Sequence, residues 1–453
     1  MTTTSEETRR AFERHARYIN PAWTRVLDLL GYGRSFVRAE GTRMFDAEGR
    51  AYVDFLAGCG SVPLGYNHPE LIAAIVRTLE ARPPSFVQLA PPYAAGLLAE
   101  ALAERLPADL CRAHFVSSGS EAVDGALKLA FAATRRSGVL FCQRGYHGVS
   151  LGALSVIGST SMRRKFPKVP GREMVPFGDL DAVAKHLKTE RFAAFIVEPI
   201  QFEGGVRLAS RKWFREIAAL CKKHGTLLVL DEAQTGIGRT GTLFAFEWLG
   251  IVPDVLVYAK ALSGGLVPIG GYSTSPALQK RAYGRMEDCE LVANTFGGGT
   301  LAAVVARRTL ELVDHALLER VRAHGEYLGE RLRGLRGRLF REARGRGLMW
   351  AVECRSPARG FARILTLGIP NIIARELYAF WIAQRMLERG WLTQVPAHVR
   401  NVLRIEPPLV VSRREIDGFV DALAETLAEN DAFFSFLRGA GRRLLSRALA
   451  SKP

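Results

Sequence analysis

Thr226-Leu227-Leu228-Val229-Leu230-Asp231-Glu232-Ala233-Gln234-Thr235-Gly236 is a short apolar run that delivers a carboxylate at its end. A run of this length, bounded by polar residues, is the pattern of a strand buried on both faces, as strands of parallel sheets are. The same grammar recurs on either side. Val255-Leu256-Val257-Tyr258-Ala259 leads into Lys260, and Ala113-His114-Phe115-Val116 leads into Ser117-Ser118-Gly119-Ser120-Glu121-Ala122. Strands are expected at 113–116, 139–142, 192–197, 226–230, 254–258 and 270–273, with helices such as 122–133 and 211–224 between them. That alternation predicts an α/β fold, a mostly parallel sheet with helices on both faces.

Outside this centre the pattern changes. Residues 26–55 carry short β-type runs among Gly31, Gly33, Gly41 and Gly49 and read as a small β-rich element. Leu71, Ile72, Ile75, Val76 and Leu79 predict a helix from Pro69, and a second amphipathic helix is expected over 97–106. Beyond Thr300 a long helix to about Arg333 leads into an α+β region with strands near 348–352 and 402–405. The expected division is an N-terminal segment 1–68 that contributes to a small domain, a large domain 69–300, a small α+β domain 301–430 and a tail 431–453. In the tail, Phe433, Phe434, Leu437, Leu444 and Leu445 recur at helical spacing with Arg438, Arg442, Arg443 and Arg447 between them. This basic amphipathic pattern suits either packing on its own domain or docking on a membrane surface or partner.

A chain of 453 residues, 48% hydrophobic and 24% charged, can bury a large core, which excludes a disulfide miniprotein and extended disorder. No apolar run approaches the ~20 residues of a membrane span, and the start, Met1-Thr2-Thr3-Thr4-Ser5-Glu6-Glu7, is polar and acidic, so a cytoplasmic protein is expected. The six cysteines, at 59, 111, 142, 221, 289 and 354, never form a C-x-x-C pair and read as reduced core thiols, with no metal site. A net charge of +17 favours anionic partners. Basic residues are dispersed without zinc-finger spacing or an aromatic RNA-binding motif, so neither nucleic acid nor a membrane is the expected partner. Phosphorylated cofactors, dicarboxylates and acidic carrier proteins remain.

Open parallel sheets bind ligands at the carboxyl ends of their strands, and three such ends carry chemistry. Ser117-Ser118-Gly119-Ser120 opens a helix whose N–H groups and dipole suit a phosphate, though an ordinary helix cap has the same look. Asp231 is a carboxylate where the sheet opens, suited to a protonated pyridine nitrogen, to a helix cap or to a metal. Lys260, desolvated at a strand end, could capture an aldehyde as a Schiff base; a lone lysine after a strand is otherwise a solvated surface group. Phosphate cradle, pyridinium partner and imine-forming amine are together what pyridoxal 5'-phosphate requires.

At these residues the chain resembles the class-III, fold-type-I pyridoxal-phosphate aminotransferases, from Asn20-Pro21 to about Ser412. The resemblance is carried by Ser118-Gly119-Ser120-Glu121-Ala122, Tyr146-His147-Gly148, Glu198-Pro199-Ile200-Gln201, Asp231-Glu232-Ala233-Gln234-Thr235-Gly236, Ala259-Lys260-Ala261-Leu262 and Asn294-Thr295-Phe296-Gly297-Gly298. In its motifs the chain looks most like the putrescine (diamine) and ornithine aminotransferase branch, through 150–155, Pro176-Phe177-Gly178 and Arg404-Ile405-Glu406-Pro407-Pro408-Leu409.

The resemblance implies a large domain with a mostly parallel seven-stranded sheet and a small α+β domain from the N- and C-terminal segments. It implies that Lys260 holds the cofactor as a Schiff base and moves the substrate proton, and that Asp231 keeps the ring nitrogen protonated. Gly119 and Ser120 would bind the phosphate, Tyr146 would stack on the ring, and Gln234 would meet the phenolic oxygen. His147 and Glu198 complete the implied cofactor site, and Thr295 would reach the phosphate of a neighbouring subunit, which implies a homodimer with shared active sites. Glu203 and Arg404 match a pair that opens for the α-carboxylate of an oxo acid such as 2-oxoglutarate or pyruvate and closes for a primary amine or aldehyde. Cys59, Val149 and Phe202 are the remaining candidates for the substrate side.

The chain also departs from the family pattern. Val149 stands where arginine or lysine is frequent, Phe202 replaces a glycine, Ala233 stands where valine is common, and Gly299-Thr300 replaces Asn-Pro. A more apolar entrance than a diamine enzyme's is expected, and a +17 surface repels a dicationic diamine while steering oxo acids or an acidic carrier protein. The expected activity is amino-group transfer between a primary (ω-)amine or aldehyde and an oxo acid. The alternatives are transfer to a carrier-bound or long-chain aldehyde, or an aminomutase or racemase on the same scaffold.

Overall fold

The computed structural model describes residues 6–29, 31–87, 89–355 and 369–430, without the side chains of residues 29 and 369–377. The tail expected as a basic helix, 431–453, lies outside the described residues. The chain forms two units, Gly58–Ala323 and the combination of Met1–Ala57 with His324–Pro453.

In the first unit seven strands form one sheet: β1 (Arg112–Val116), β2 (Gly138–Cys142), β3 (Arg172–Val175), β4 (Phe192–Val197), β5 (Leu227–Asp231), β6 (Val255–Tyr258) and β7 (Gly270–Thr274). Their spatial order is β1-β7-β6-β5-β4-β2-β3, with β7 antiparallel to both neighbours and the other pairs parallel. The expected α/β class is therefore the observed one, and six strands follow the apolar runs. β3 departs from that pattern. Arg172-Glu173-Met174-Val175 is half polar and only half-buried, as an edge strand paired with β2 alone can be.

Alternation along the strands assigns the faces. Phe141, Ile196, Val229 and Val257 share a buried cluster with Val123, Ala126, Leu127 and Ala130 of the helix Gly119–Thr134. Gly125 of that helix lets Tyr272 pack close, since a Cβ there would lie 2.6 Å from the ring. On the opposite parity, Phe195 meets Trp213 of the helix Arg211–Lys223 edge-on at 6.4 Å between centroids. Helices thus cover both faces, which is why strands such as Leu227–Asp231 can be wholly buried and apolar up to the closing Asp231.

In the other unit Phe36–Glu40, Arg43–Asp46 and Ala51–Asp54 form a meander, joined in parallel by Trp391–Leu392. A separate antiparallel sheet contains Phe340–Arg346, Met349–Cys354 and Val402–Ile405. Phe55 stacks on Phe419 of the helix Arg413–Glu429, with centroids 4.0 Å apart.

Three expectations are corrected. Residues 26–29 are the end of a helix, Pro21–Leu29, opened by a proline whose fixed φ suits the first helical position, and the β-runs begin only at Phe36. The long helix after Thr300 is two, Thr300–Leu312 and His315–Arg333. Val313 leaves helical geometry at ψ 68°, and Asp314 Oδ1 accepts the Leu317 N–H at 2.8 Å to cap the second. Of the cysteines expected as core thiols, Cys142, Cys221 and Cys354 are buried, whereas Cys111 is half-buried and Cys59 and Cys289 are exposed. Among the described residues no helix is long and apolar enough to cross a membrane.

Candidate active site

Because β1, β4, β5 and β6 run the same way, their carboxyl ends share one edge of the sheet, and each supplies a polar group there. β1 ends in Ser117-Ser118-Gly119-Ser120, β4 in Glu198, β5 in Asp231, and β6 leads through Ala259 to Lys260. All of these line a cavity of about 490 Å3 together with Tyr146, His147, Gly148, Phe202, Glu203 and Gln234.

The helix Gly119–Thr134 starts at this cavity. Ser118 caps it, with Oγ accepting the Glu121 N–H at 3.3 Å, while the Ser118 carbonyl accepts the Ala122 N–H at 3.1 Å. The N–H groups of Gly119 and Ser120 belong to the first turn, which has no carbonyl of its own helix to donate to, and with the helix dipole they suit an anion. A Cβ on Gly119 would come within 3.2 Å of Ala259 Cβ and 3.7 Å of Ala233 Cβ, so a glycine keeps this wall thin.

Asp231 is buried and held from two sides. Its Oδ1 accepts the Ala233 N–H at 3.1 Å, and its Oδ2 lies 2.7 Å from Nδ1 of the buried His147. Glu198 is equally buried, and its Oε1 accepts the Tyr146 N–H at 2.9 Å. Burial, then the negative charge of Asp231, pushes the Glu198 carboxyl well above the ordinary range. Lys260 sits at φ 41°, in the left-handed region that a side chain disfavours, at the start of the turn Lys260–Ser263.

The other anticipated residues divide between the cavity and positions outside it. Gln234 lines the cavity and donates from Nε2 to the carbonyl of Cys59 at 3.3 Å, while Cys59 itself is not among the lining residues. Val149 is exposed and outside the lining; its N–H donates to Ser120 Oγ at 3.2 Å. Thr295 lies on an exposed bend, also outside the lining. Arg404 belongs to the other unit, in the strand Val402–Ile405, where its N–H donates to the Gln394 carbonyl at 2.8 Å and its guanidinium to the Gln394 side chain. Sequence reasoning missed Ser61, Ser263 and the wall Leu266-Val267-Pro268-Ile269. Gly264 and Gly265, both at positive φ just after Lys260, were the signal that the chain turns back along the cavity.

The family model for class-III aminotransferases matches residues 32–427. Aminotransferase PigE of Serratia sp. is 36% identical over 93% of this chain and 54% of its own length, so the chain spans about half of that relative. The putrescine aminotransferase of Pectobacterium atrosepticum is 36% identical over 88% of this chain and 84% of its own. A solved ornithine aminotransferase of Toxoplasma gondii, with pyridoxal phosphate at its active site, superposes with TM-score 0.80 at 29% identity, covering 94% of this chain and 95% of that one.

The chain belongs to the class-III aminotransferases, and its cofactor is pyridoxal 5'-phosphate. The residues present fit that group. One cavity offers an amine, a carboxylate oriented by His147 and a helix start with open N–H groups, the complements of an aldehyde, a pyridinium and a phosphate.

Proposed function

We propose that the protein moves an amino group between a primary (ω-)amine, or the matching aldehyde, and an oxo acid such as 2-oxoglutarate or pyruvate. The observation that carries this reading is the convergence of Lys260, Asp231 and the Ser118-Gly119-Ser120 turn on one cavity of a class-III aminotransferase.

When bound, pyridoxal phosphate supplies a ring that takes up the electron pair left on the amine-bearing carbon. Lys260 would hold it through a Schiff base and, once freed, carry the proton to and from that carbon. Asp231, fixed by His147 and the Ala233 N–H, would stabilise positive charge at the ring nitrogen. Gly119 and Ser120 would receive the phosphate, Tyr146 would face the ring, and Gln234 would meet the phenolic oxygen. Glu203, on the cavity wall, would attract the incoming ammonium.

A homodimer is part of this reading. Thr295 precedes Phe296, an exposed ring packed edge-on against the exposed Phe86 at 5.2 Å. Such a patch suits burial against a second copy, with Thr295 at the neighbour's phosphate. A second reading, in which the aldehyde sits on a long chain or a carrier, is favoured by the apolar wall of Phe202, Leu266, Val267 and Ile269.

The test is a single-turnover screen. Purified protein loaded with pyridoxal phosphate should show an absorption band in the visible, lose it on addition of a competent amine and regain it with the oxo acid. Lys260→Ala should show neither change, and a colourless loaded wild type would refute the reading.

A further inference from the structure

Beside the cofactor cavity, the segment after β2 builds a second feature with no part in the chemistry above. Leu151, Leu154, Phe166, Val169 and Pro170 line a groove of about 590 Å3, with Leu151 72%, Phe166 46% and Val169 42% exposed. Single exposed apolar residues are ordinary, but three around one groove are not.

Arg163, Lys168 and Arg172 line the groove, and no acidic residue is among its lining. Residues 158–172 contain Arg163, Arg164, Lys165, Lys168 and Arg172 and no acid. Two of these cations are partly withdrawn from water. The Arg163 guanidinium lies over the Phe141 ring at 5.2 Å, and its Nε is buried without a hydrogen-bond partner. Arg172 lies over the Phe131 ring at 5.0 Å and donates to the Ser137 carbonyl at 2.8 Å and to Ser155 Oγ at 3.3 Å. Burial lowers the pKa of both, and no acidic group offsets it. The neighbouring acid, Glu173, is already taken by Arg191 and by His186 Nε2 at 3.3 Å. Desolvated cations without counter-charge are unfavourable, so carboxylates brought from outside would find a strong partner here.

We propose that this groove docks a carboxylate-rich amphipathic helix of an acidic partner protein, which carries the amine or aldehyde substrate on a flexible arm. An apolar ridge on that helix fits the floor, and flanking carboxylates fit the rim. A nucleic-acid strand would ask for a series of exposed stacking rings, and the groove presents one, Phe166. Position supports delivery of a substrate. Leu151 on the groove is three residues from Gly148 on the cofactor cavity, at most about 11 Å along the chain. Between them the Val149 N–H is bonded to Ser120 Oγ and Ser150 Oγ to the Ser120 carbonyl, at 3.2 and 3.4 Å. The proposal rests on the aminotransferase reading only for the cargo; the docking stands apart from it.

The probe is a short labelled helical peptide with a leucine ridge flanked by glutamates, followed by fluorescence anisotropy on the full-length loaded protein. Wild type should bind it, more weakly as salt rises. Arg164→Glu with Lys168→Glu, and separately Phe166→Ser with Leu151→Ser, should each weaken binding by about tenfold or more. All four residues lie on the surface, and turnover of a free amine should be unchanged in both double variants. An amine tethered to the peptide should show a KM about tenfold lower than the free amine in wild type, and no such advantage in the variants. Several results would each overturn the proposal: no binding at low salt, equal binding by the variants, loss with the charge variant alone (a general field), or a single-stranded oligonucleotide binding as tightly as the peptide with no sensitivity to Phe166. Should the protein transfer no amine at all while peptide binding behaves as described, the aminotransferase reading fails and the docking surface stands.

Discussion

His147 Nδ1 and Asp231 Oδ2 lie 2.7 Å apart, both buried, the histidine in the loop after β2 and the aspartate at the end of β5. With the Ala233 N–H on its other oxygen, Asp231 is fixed in the direction it presents to the cavity. A charge placed in advance is worth more than one that must reorient during the reaction. Asp231→Asn keeps the shape and removes the charge, so kcat for amine transfer should fall by about 100-fold or more, on the scale of losing a strong electrostatic contact. His147→Ala keeps the charge and frees the carboxylate, so a smaller loss, about tenfold, is expected, near the worth of one hydrogen bond to a charged group. Steady-state kinetics on the two variants check the order. Wild-type kcat in His147→Ala would show that the pair has no positioning role.

Glu198 carries a pH prediction. Burial and the nearby negative charge of Asp231 raise its pKa well above the usual carboxylate range, so it holds a proton where an ordinary glutamate has lost it. Ionisation at higher pH places a second negative charge beside Asp231 and Glu203 and near the Lys260 ammonium. Glu198→Gln keeps an oxygen for the Tyr146 N–H and cannot titrate. Its kcat should lie within about twofold of wild type on the acid side and lose the alkaline inflection that Glu198 contributes. Glu198→Ala, which leaves the Tyr146 N–H without its acceptor, should lose activity at every pH. Identical pH profiles for wild type and Glu198→Gln would remove the argument.

The fold is legible in the amino-acid sequence wherever burial is two-sided. Strands such as Leu227–Asp231 and Val255–Tyr258 announce themselves because both faces are covered, and Asp231 and Lys260 stand out as the polar residues that close those apolar runs. The edge strand Arg172–Val175 has no apolar run to announce it. The break at Val313-Asp314 is a local cap inside a continuous helical periodicity, which periodicity cannot detect. In the site, the contact between His147 and Asp231 spans 84 residues of sequence and depends on the order of strands, so no local pattern encodes it. The wall Leu266-Val267-Pro268-Ile269 differs, since it reaches the cavity through the left-handed turn at Gly264 and Gly265, and those two glycines are its local signal.

Glu232, next to the catalytic candidate, is fully buried with three donors: the Ala245 N–H at 2.6 Å, the Phe246 N–H at 2.8 Å and Thr235 Oγ1 at 3.0 Å. Burial still outweighs these bonds and pushes its pKa up to about 7. The unfolded chain releases that proton near the ordinary 4.5, so between the two values the folded state binds more protons and stability falls as pH rises. At about 1.4 kcal/mol per pH unit the loss amounts to about 3 kcal/mol by pH 7, and the curve levels off about one unit above it. Urea unfolding of wild type and Glu232→Gln at a series of pH values isolates the effect. The stability of wild type relative to the variant should decline from pH 4.5 to 7; a difference that stays constant or grows would contradict the assignment.

Gly148 separates two demands at the end of the cavity where the phosphate is proposed to bind. Its φ of +114° belongs to a region that only glycine occupies easily, and a Cβ there would lie 2.1 Å from Ser120 Oγ and 2.8 Å from Ser120 Cβ. Ser120 Oγ in turn accepts the Val149 N–H at 3.2 Å, so the loop after β2 and the helix start are pinned to one another at this point. Gly148→Ala must therefore displace the turn that opens the helix Gly119–Thr134 at the cavity, and affinity for pyridoxal phosphate should fall by about tenfold or more while the sheet is untouched. Ser120→Gly added to Gly148→Ala removes the side chain in the way but not the strain at φ +114°, so it should restore part of the affinity and leave a remainder. Fluorescence titration of the apoprotein with the cofactor, for the single and double variants, separates the two contributions. If Gly148→Ala binds pyridoxal phosphate as tightly as wild type, the Ser118-Gly119-Ser120 turn is not where the phosphate sits.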